Sequence, residues 1–597
     1  MSNQAVLTRQ LTRPSVWAPK ARQVDLITGD ERRPMAVMPR RLGWWSVPED
    51  LAPGTRYSFS LDHGPALPDP RSLSQPDGVH GPSAIVDPRL FTDREPWRGR
   101  DVRGGVGYEL HVGTFTSEGT FDSAIAHLDY LLGLGVDYVE IMPVATFAGE
   151  RGWGYDGVGM YAVHAAYGGV EAFVRFIDAA HARGLGVVLD VVFNHLGPEG
   201  NYLSQFGPYF TDRHQTPWGE AVNLDDYHCH EVRDFFLFAS RQWLVDFQLD
   251  GLRLDAVHAL KDEDHPHFLA ELAHEVATWR AETGRPMRLI AESDLNQVSM
   301  VTPTSAGRHA RGMDAQWADD VHHALHSFVS HEQQGYYVDF GTAEVLQKVL
   351  TQVFLHDGTY STFREQDWGA PVDPHSPYYD GHSFVTSLQN HDQVGNRAIG
   401  DRISFGNDLG LQAAGAALHL LSPFAPMLFM GEEWAASTPF PFFSDLGPDL
   451  GPLVTKGRAR EFAKMGWGDE TPDPQAVSTF TSAVLNWAEL HEDQHADMLD
   501  WYRALIRIRH EHGADNPSLA STRVEIVDDD TLIMWRNDQL AVAATRSAGE
   551  HEVDFGHEMS PLISWGQMEE AGEGRFKFSG PGAVVVRIKA ERSPEVF

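Results

Sequence analysis

The chain has 597 residues, of which 42% are hydrophobic and 22% charged, so several domains with sizeable cores are expected. The 84 acidic and 47 basic residues give a net charge of −37, which makes nucleic acid and anionic membrane surfaces poor partners. The single cysteine, Cys229, excludes an intramolecular disulfide, and no apolar run is long enough to cross a bilayer. The first residues contain no apolar segment of the secretory type, so a cytoplasmic protein is expected.

Residues 1 to about 100 predict a small β-sandwich. Short apolar runs, Val24–Ile27 and Arg56–Leu61, alternate with Pro and Gly, and no apolar residues recur at helical spacing. The stretch from Gly64 to Pro88 is rich in Pro, Gly, Asp and Ser, and it predicts a long ordered loop.

From about residue 104, predicted strands alternate with predicted helices. The strands fit Val106–Phe115, Tyr138–Val144, Gly186–Asn194, Gly251–Val257, Arg288–Glu292, Asp314–Trp317, Ser383–Asn390 and Pro426–Met430. The helices fit Ser123–Leu134, Val170–Arg183, Glu231–Phe247 and His267–Glu282. This succession predicts an α/β fold, a (β/α)8 TIM barrel with its active site at the C-terminal ends of the strands.

After about residue 515 the pattern returns to short strands, at Thr531–Trp535, Leu540–Ala544 and Ala583–Ile588. The expected architecture is therefore a catalytic barrel flanked by two β-sandwich domains. Its predicted boundaries are 1–100 for the N-terminal β-sandwich, 101–515 for the barrel, with a loop insertion at about 196–230, and 516–597 for the C-terminal β-domain.

Carboxylates and imidazoles collect where four of the predicted strands end. The segments are DVVFNH at 190–195, GLRLDAVH at 251–258, AES at 291–293 and LQNHD at 388–392. A single carboxylate at a barrel rim is usually structural, but four such clusters at separate strand ends favour catalysis.

Two of these carboxyl groups have different predicted environments. Arg253 and Asp255 are two apart in a strand and share a face, so the guanidinium favours an ionised carboxylate, which suits a nucleophile. Glu292 follows an apolar strand, and a dry setting raises a carboxyl pKa, which suits a proton donor. One ionised and one protonated carboxyl group are what a glycosidase needs.

The four segments resemble, in order and spacing, the signature regions of glycoside hydrolase family 13, the α-amylase family. The resemblance extends over essentially the whole chain, and VWAP and GVHGPS near the start look like a starch-binding-type module. It implies that Asp255 is the nucleophile, Glu292 the general acid/base and Asp392 the transition-state stabiliser. The implied sugar-binding residues in these regions are His195, Arg253, His258 and His391.

Five further segments are similar to α-glucan enzymes of this family, and four of them resemble the subgroup that hydrolyses maltooligosyltrehalose. The segments are WGYD at 153–156, FTDRHQTPWGEAVNLD at 210–225, QWADDVHH at 316–323, HDGTY at 356–360 and DQVGNRAIGDR at 392–402. Substrate contacts are expected there at Trp153, Tyr155, Asp156, Trp218, Asp319, Asp320, His323, Gln393 and Asn396. The competing interpretations are ordinary loop packing for the aromatic residues and a solvated helix start for Asp319, Asp320 and His323.

The resemblance implies a retaining hydrolase that cleaves the α-1,4 bond next to the terminal trehalose of maltooligosyltrehalose and releases trehalose. It implies a maltooligosyltrehalose synthase as metabolic partner and no organic cofactor; a calcium ion near Asn194 is a family analogy that the sequence does not establish. The alternatives are a branching enzyme, for which Ser-His-Asp would be expected at 390–392, a neopullulanase-like amylase, and a non-catalytic α-glucan-binding protein.

Two shorter motifs favour other functions less well. GWGYDG at 152–157 fits a phosphate-loop pattern, but no helix is predicted after it. HEDQH at 491–495 fits the zinc-protease pattern on a predicted helix, but its interior is polar and no third ligand is evident.

Overall fold

The computed structural model describes residues 11–464 and 471–589. At its centre is a closed barrel of eight parallel strands, in which each strand pairs with the next in chain order and the eighth pairs with the first. The strands are Gly107–Leu110, Tyr138–Ile141, Gly186–Val191, Gly251–Leu254, Arg288–Ala291, Ala315–Trp317, Phe384–Ser387 and Ala425–Phe429. The prediction of a (β/α)8 barrel is confirmed.

The predicted strands extend beyond the real ones at their C-terminal ends. Val106–Phe115 contains a strand only at Gly107–Leu110, and the helical turn Val112–Phe115 follows it. The fourth strand ends at Leu254, one residue before Asp255. The polar residues at these ends leave the hydrogen-bonded ladder because they belong to the loops above the barrel, where such folds place their sites.

Helices surround the barrel and connect its strands. Their bounds are Arg89–Thr92, Val112–Phe115, Phe121–Ile125, Leu128–Leu134, Gly169–Ala182, Leu203–Phe206, Cys229–Arg241, Phe268–Thr283, Asp319–Ser330, Ala343–Gln352, His391–Gly395, Leu409–Leu420, Gly451–Lys464, Val477–Ser482 and Asp493–Glu511. No helix in these ranges is both long and apolar enough to span a bilayer.

Two predicted helices are each divided in the structure. Ser123–Leu134 forms two short helices, the first begun by Thr120, whose hydroxyl accepts a hydrogen bond from the Ser123 backbone N–H. Glu231–Phe247 is an α-helix as far as Arg241 and a π-helical turn over Gln242–Asp246. The helix Leu409–Leu420 was not predicted, because it is apolar on nearly all sides and has no amphipathic stripe.

Further β-sheets precede and follow the barrel, as predicted. The strands before it are Ser15–Trp17, Val24–Thr28, Glu31–Pro34, Ala36–Val37, Trp44–Ser46, Arg56–Leu61, Ala66–Leu67 and Ser83–Ala84. The strands after it are Thr522–Asp528, Thr531–Arg536, Leu540–Asp554, Met559–Ser564, Met568–Gly572 and Arg575–Ile588. One helical turn, Arg89–Thr92, lies in the first hundred residues, where none was predicted.

Two hairpins rise from loops on the barrel. One pairs Phe210–Thr216 with Gly219–Val222 inside the predicted loop insertion, and the other pairs Thr359–Ser361 with Gln366–Trp368. The first hairpin places Trp218 in its turn, above the end of the third barrel strand. It therefore forms one wall of the cleft described next.

Candidate active site

A cleft of about 960 Å³ opens at the C-terminal ends of the barrel strands. Loops after strands two, three, four, five, seven and eight line it. The predicted site residues among its lining are Trp153, Tyr155, Asp156, His195, Trp218, Asp255, His258, Glu292, His391, Asp392 and Asn396. The structure thus brings together residues that are up to 243 positions apart in the chain.

Arg253 lies beneath the cleft, with its side chain fully buried, and joins three carboxyl groups. Its Nη1 lies 2.8 Å from Asp190 Oδ2 and 2.9 Å from Asp255 Oδ1, and its Nη2 lies 3.0 Å from Glu292 Oε2. Burial opposes the guanidinium charge, but the surrounding carboxyl groups hold the pKa of Arg253 well above its usual value. One cation therefore gathers carboxyl groups from strands three, four and five.

Asp255 is fixed through both carboxylate oxygens. Oδ1 faces Arg253, while Asn194 Nδ2 donates to Oδ2 at 2.7 Å and also to the Asp255 backbone carbonyl at 2.8 Å. The side chain is only 11% exposed, and that exposed part lines the cleft. The carboxylate is thus oriented before any ligand arrives, which is what nucleophilic attack requires.

Glu292 stands next to Asp255, and its side chain is also mostly buried. The Ala256 backbone N–H donates to its Oε2 at 2.6 Å. Burial raises the pKa of Glu292, and the negative charge of Asp255 raises it further, while Arg253 opposes both. A carboxyl group with a raised pKa is suited to the role of proton donor, and the oriented carboxyl group of Asp255 beside it is suited to that of nucleophile.

His391 and Asp392 follow the seventh strand on the opposite side of the cleft. His391 Nδ1 donates to Glu109 Oε1 at 2.6 Å, and its Nε2 lies 3.5 Å from Asp392 Oδ1. Burial disfavours a charged imidazole, but Asp392 and Glu109 together raise the pKa of His391 to about 9. Asn396 Nδ2 donates to Asp392 Oδ1 at 3.1 Å, so Asp392 is held from two sides.

The aromatic residues of the cleft differ in how much of each ring is free. Trp218 stacks on His195, with ring centres 4.3 Å apart and planes 6° apart, yet it is 51% exposed. Trp153 is only 5% exposed and stacks on Phe440. Trp218 has a free surface for a sugar ring, whereas packing accounts for most of the Trp153 ring.

Five predicted substrate contacts lie outside the lining of this cleft, namely the fully buried Arg253 beneath it and four residues after the sixth and seventh strands. Asp319 is close enough to the catalytic carboxyl groups to interact with them electrostatically. Burial, and then the charges of Glu292 and Asp392, raise the pKa of Asp319 to about 8. Asp320 is buried, and its Oδ2 accepts hydrogen bonds from the backbone of Leu355 and His356.

The other two are His323 and Gln393. His323 packs against Tyr336 and Phe340. Gln393 lies in the helix His391–Gly395, and its backbone N–H donates to Asn390 Oδ1. Asp319, Asp320 and His323 lie in the first turn or two of the helix Asp319–Ser330, but Asp320 is buried, so this is not the solvated helix start of the competing interpretation.

Much of the cleft wall was not predicted from the sequence. The additional lining residues include Asn201, Ser204, Phe210, Glu220, Phe442, Phe443, Ser444, Leu446, Val454 and Arg458. Arg458 Nη2 donates to Asn396 Oδ1 at 2.9 Å and so supports the residue that holds Asp392. One sequence feature could have indicated this part of the wall, the aromatic run FPFF at 440–443. It follows the eighth strand and so lies where barrel enzymes place the loops of their sites.

One group of side chains in the described ranges has the spacing of metal ligands. The ligand atoms of His214, Asp225 and Glu263 all lie within 4.8 Å of one another. Arg213 lies among them, 2.7 Å from Glu263 Oε2, so a guanidinium already balances these carboxylates. The group therefore needs no cation to explain it.

The HEDQH motif does not lie on one helix, contrary to the prediction. His491 ends the 3-10 turn Trp487–His491 and is exposed, whereas His495 belongs to the helix Asp493–Glu511. The buried His495 ring uses Nδ1 to donate to the Trp434 backbone carbonyl. The two imidazoles thus have separate environments.

Comparisons with known proteins agree with this geometry. The family model for the catalytic domain of alpha amylase matches residues 86–218. The malto-oligosyltrehalose trehalohydrolase of Arthrobacter ramosus is 47% identical over 96% of this chain and 99% of its own, and that of Mycobacterium tuberculosis is 47% identical over 92% and 95%. The crystal structure of an alpha-amylase candidate from Salmonella typhimurium is 38% identical, with a TM-score of 0.87 over 97% of both chains. The chain therefore belongs to the malto-oligosyltrehalose trehalohydrolases, within the α-amylase family of glycoside hydrolases.

Proposed function

We propose that this protein is a retaining glycoside hydrolase that cleaves the α-1,4 bond next to the terminal trehalose of maltooligosyltrehalose and releases trehalose. The observation that carries the proposal is the convergence of Asp255 and Glu292 on the single guanidinium of Arg253, at the floor of an open cleft. Near-full-length similarity to proteins named malto-oligosyltrehalose trehalohydrolase supports the choice of substrate.

The proposed reaction has two steps at one anomeric carbon. Glu292 protonates the leaving trehalose oxygen while Asp255 attacks the anomeric carbon and forms a β-glycosyl-enzyme. Water, deprotonated by Glu292, then releases the glucan with net retention of configuration. Retention needs carboxyl groups only about 5–5.5 Å apart, and two carboxyl groups bound to one guanidinium favour that short separation over the wider inverting one.

Asp392 and His391 are assigned to the charge that develops on the sugar ring. The transition state resembles an oxocarbenium ion, so a carboxylate beside it is stabilising. Hydrogen bonds from Asn396 and the proximity of His391 support Asp392 in this role. The exposed face of Trp218 is assigned to stacking on a glucose ring.

Selectivity for trehalose-capped chains is assigned to the leaving-group side. Both kinds of chain present the same α-1,4 bond, so the three carboxyl groups cannot distinguish them, and loops that contact the final ring must do so. The candidates are Trp218, Asp319 and the segment 393–396. Burial, and then the charges of Glu292 and Asp392, raise the pKa of Asp319, and this electrostatic contact with the two catalytic carboxyl groups supports its inclusion.

The cellular setting is proposed on the same basis. The protein would act in the cytoplasm, in trehalose biosynthesis from α-glucans, on a substrate made by a maltooligosyltrehalose synthase.

The proposed domains are 1–100, 101–515 and 516–597. Barrel strands between Gly107 and Phe429 and a separate sheet from Thr522 onwards support this division.

The decisive experiment compares products from maltooligosyltrehalose and from plain maltooligosaccharide. Free trehalose from the first substrate is the expected result. New α-1,6 linkages from amylose would instead indicate a branching enzyme, and maltooligosaccharide cleavage alone a neopullulanase-like amylase. Loss of all activity in Asp255→Ala would exclude a non-catalytic glucan-binding protein and any contaminating hydrolase.

A further inference from the structure

Glu109, on the first barrel strand, is a buried carboxylate whose two oxygens both contact one residue of the cleft. It is 1% exposed. Its Oε1 accepts from His391 Nδ1 at 2.6 Å, and its Oε2 accepts from the His391 backbone N–H at 2.8 Å. This double contact fixes both the ring of His391 and the start of the helix His391–Gly395, which also contains Asp392.

The neighbouring carboxyl group, Glu140, shows that the contact is specific to Glu109. Glu140 is the register partner of Glu109 on the second strand and is equally buried. Among the described residues neither of its carboxyl oxygens has a hydrogen-bond partner. Burial, and then the charge of Glu109, raise the pKa of Glu140 well above its usual value, which favours its neutral form.

The other groups around His391 leave Glu109 as its closest anion. The charged or titratable groups that face the ring are Glu109, His111, Glu140, Asp190, Arg253 and Asp392, and the aromatic rings are Trp153, Tyr155 and Trp317. Asp190 is already engaged by Arg253 at 2.8 Å. Glu109 at 2.6 Å and Asp392 at 3.5 Å are thus the two anionic neighbours on opposite ring nitrogens.

We propose that Glu109 is a positioning residue of the active site, which keeps His391 in the form that donates from both ring nitrogens. A neutral imidazole has only one N–H, and in His391 it would lie at Nδ1, where Glu109 accepts its hydrogen bond. Nε2 would then present a lone pair to the Asp392 oxygen and repel it. With both nitrogens protonated, Nε2–H points towards Asp392 and the sugar beside it. This inference rests on the proposed function, since it assigns a role within that reaction.

The test is the pH profile of kcat/KM in Glu109→Gln. The amide keeps the shape but removes the charge, so the pKa of His391 should fall from about 9. The alkaline limb reflects the loss of two protons, one from Glu292 and one from His391. Because a histidine loses its charge as pH rises through its pKa, a lowered pKa of His391 should move this limb to lower pH, by at least about half a unit. Glu109→Asp, which keeps the charge but withdraws it by one methylene, should move the limb less in the same direction.

Glu433→Gln is the matched control, because Glu433 is another fully buried glutamate of the barrel and lies outside the cleft lining. It should leave the alkaline limb where it is. In a His391→Gln background, Glu109→Gln should change kcat/KM less than twofold, since the residue through which it acts is gone.

An unchanged limb in Glu109→Gln, with activity reduced only in proportion to the folded fraction, would overturn the proposal. If Glu109→Gln does not fold, an unchanged limb in Glu109→Asp overturns it. Absence of trehalose release by the wild type would contradict the proposed function instead, and the same pH comparison would then be made on maltooligosaccharide hydrolysis.

Discussion

Two groups of buried carboxyl groups lie at the ends of barrel strands, and they differ in what surrounds them. The catalytic group has Asp255 and Glu292 on Arg253 and opens into the cleft. The second group, Glu432 and Glu433 after the eighth strand, is fully buried, and burial raises their pKa values to about 8 and about 7.

Tyrosine hydroxyl groups donate hydrogen bonds to both members of the second group. Tyr502 donates to Glu432 Oε1 at 2.9 Å, and Tyr108 and Tyr130 donate to Glu433 Oε1 at 3.1 and 2.8 Å. A raised carboxyl pKa therefore occurs in both groups, at Glu292 in the first and at both glutamates in the second, but only the first group contacts the cleft. Burial alone shifts a carboxyl pKa, so access to a substrate is the better criterion for catalysis.

Asp255→Asn should have the largest effect on the catalytic side of this comparison. The amide preserves shape but cannot attack the anomeric carbon, so kcat should fall at least about a thousandfold while substrate binding largely survives. Steady-state kinetics and calorimetric binding measure the two quantities. Glu433→Gln should keep kcat within about twofold, and a comparable collapse there would remove the distinction between the groups.

Glu292→Gln should be the next most severe change. It removes the proton donor, so kcat should fall at least about a hundredfold. The raised pKa of Glu292 lets it hold its proton to higher pH than an ordinary glutamate, and activity that depends on this proton is lost as pH rises through that pKa. The basic limb of the pH profile should therefore lose the contribution of Glu292 in the variant and keep that of His391, and near-normal activity with an unchanged optimum would refute the assignment of proton donor.

The sequence predicted the barrel and the floor of the cleft better than its walls. Asp255, Glu292 and Asp392 stand directly after strands or in the first turn beyond them, so their position follows from the topology alone. Phe442 and Arg458 come from a long segment after the eighth strand, and nothing local in the sequence folds that segment over the cleft. Asp320 shows the opposite error, because a polar residue near a strand end can serve the loop backbone instead.

Glu433→Gln should alter the pH dependence of stability rather than catalysis. The folded protein holds the Glu433 proton up to about pH 7, whereas the unfolded chain releases it near its ordinary pKa. This contribution to the free energy of unfolding is thus fully present below about pH 4.5 and is lost as pH rises towards 7. The free energy of unfolding should therefore decline less between pH 5 and pH 8 in the variant than in the wild type, by on the order of 2 kcal/mol. Denaturant titrations at both pH values would measure this difference. An identical decline in both proteins would contradict the assignment.

Trp218→Ala should have the smallest effect and should affect binding only. Stacking of this kind contributes about 1 kcal/mol, so KM for maltooligosyltrehalose should rise about fivefold. The ring is half exposed, so Tm should not change. Trp153→Ala provides the contrast, because removing a buried ring should lower Tm clearly. If Trp218→Ala lowered Tm as much, the ring would be a packing residue.

Because the barrel is closed, enzymatic activity depends on the integrity of the whole domain. Its groups come from the ends of strands three, four, five and seven, and each strand is held by neighbours on both sides in a ring without a free edge. Separating any one of these four strands would displace a catalytic group and expose the ladders beside it at once. A chain cut between the fourth and fifth strands would hold Asp255 and Glu292 on different fragments, and turnover would return only when the fragments reassembled.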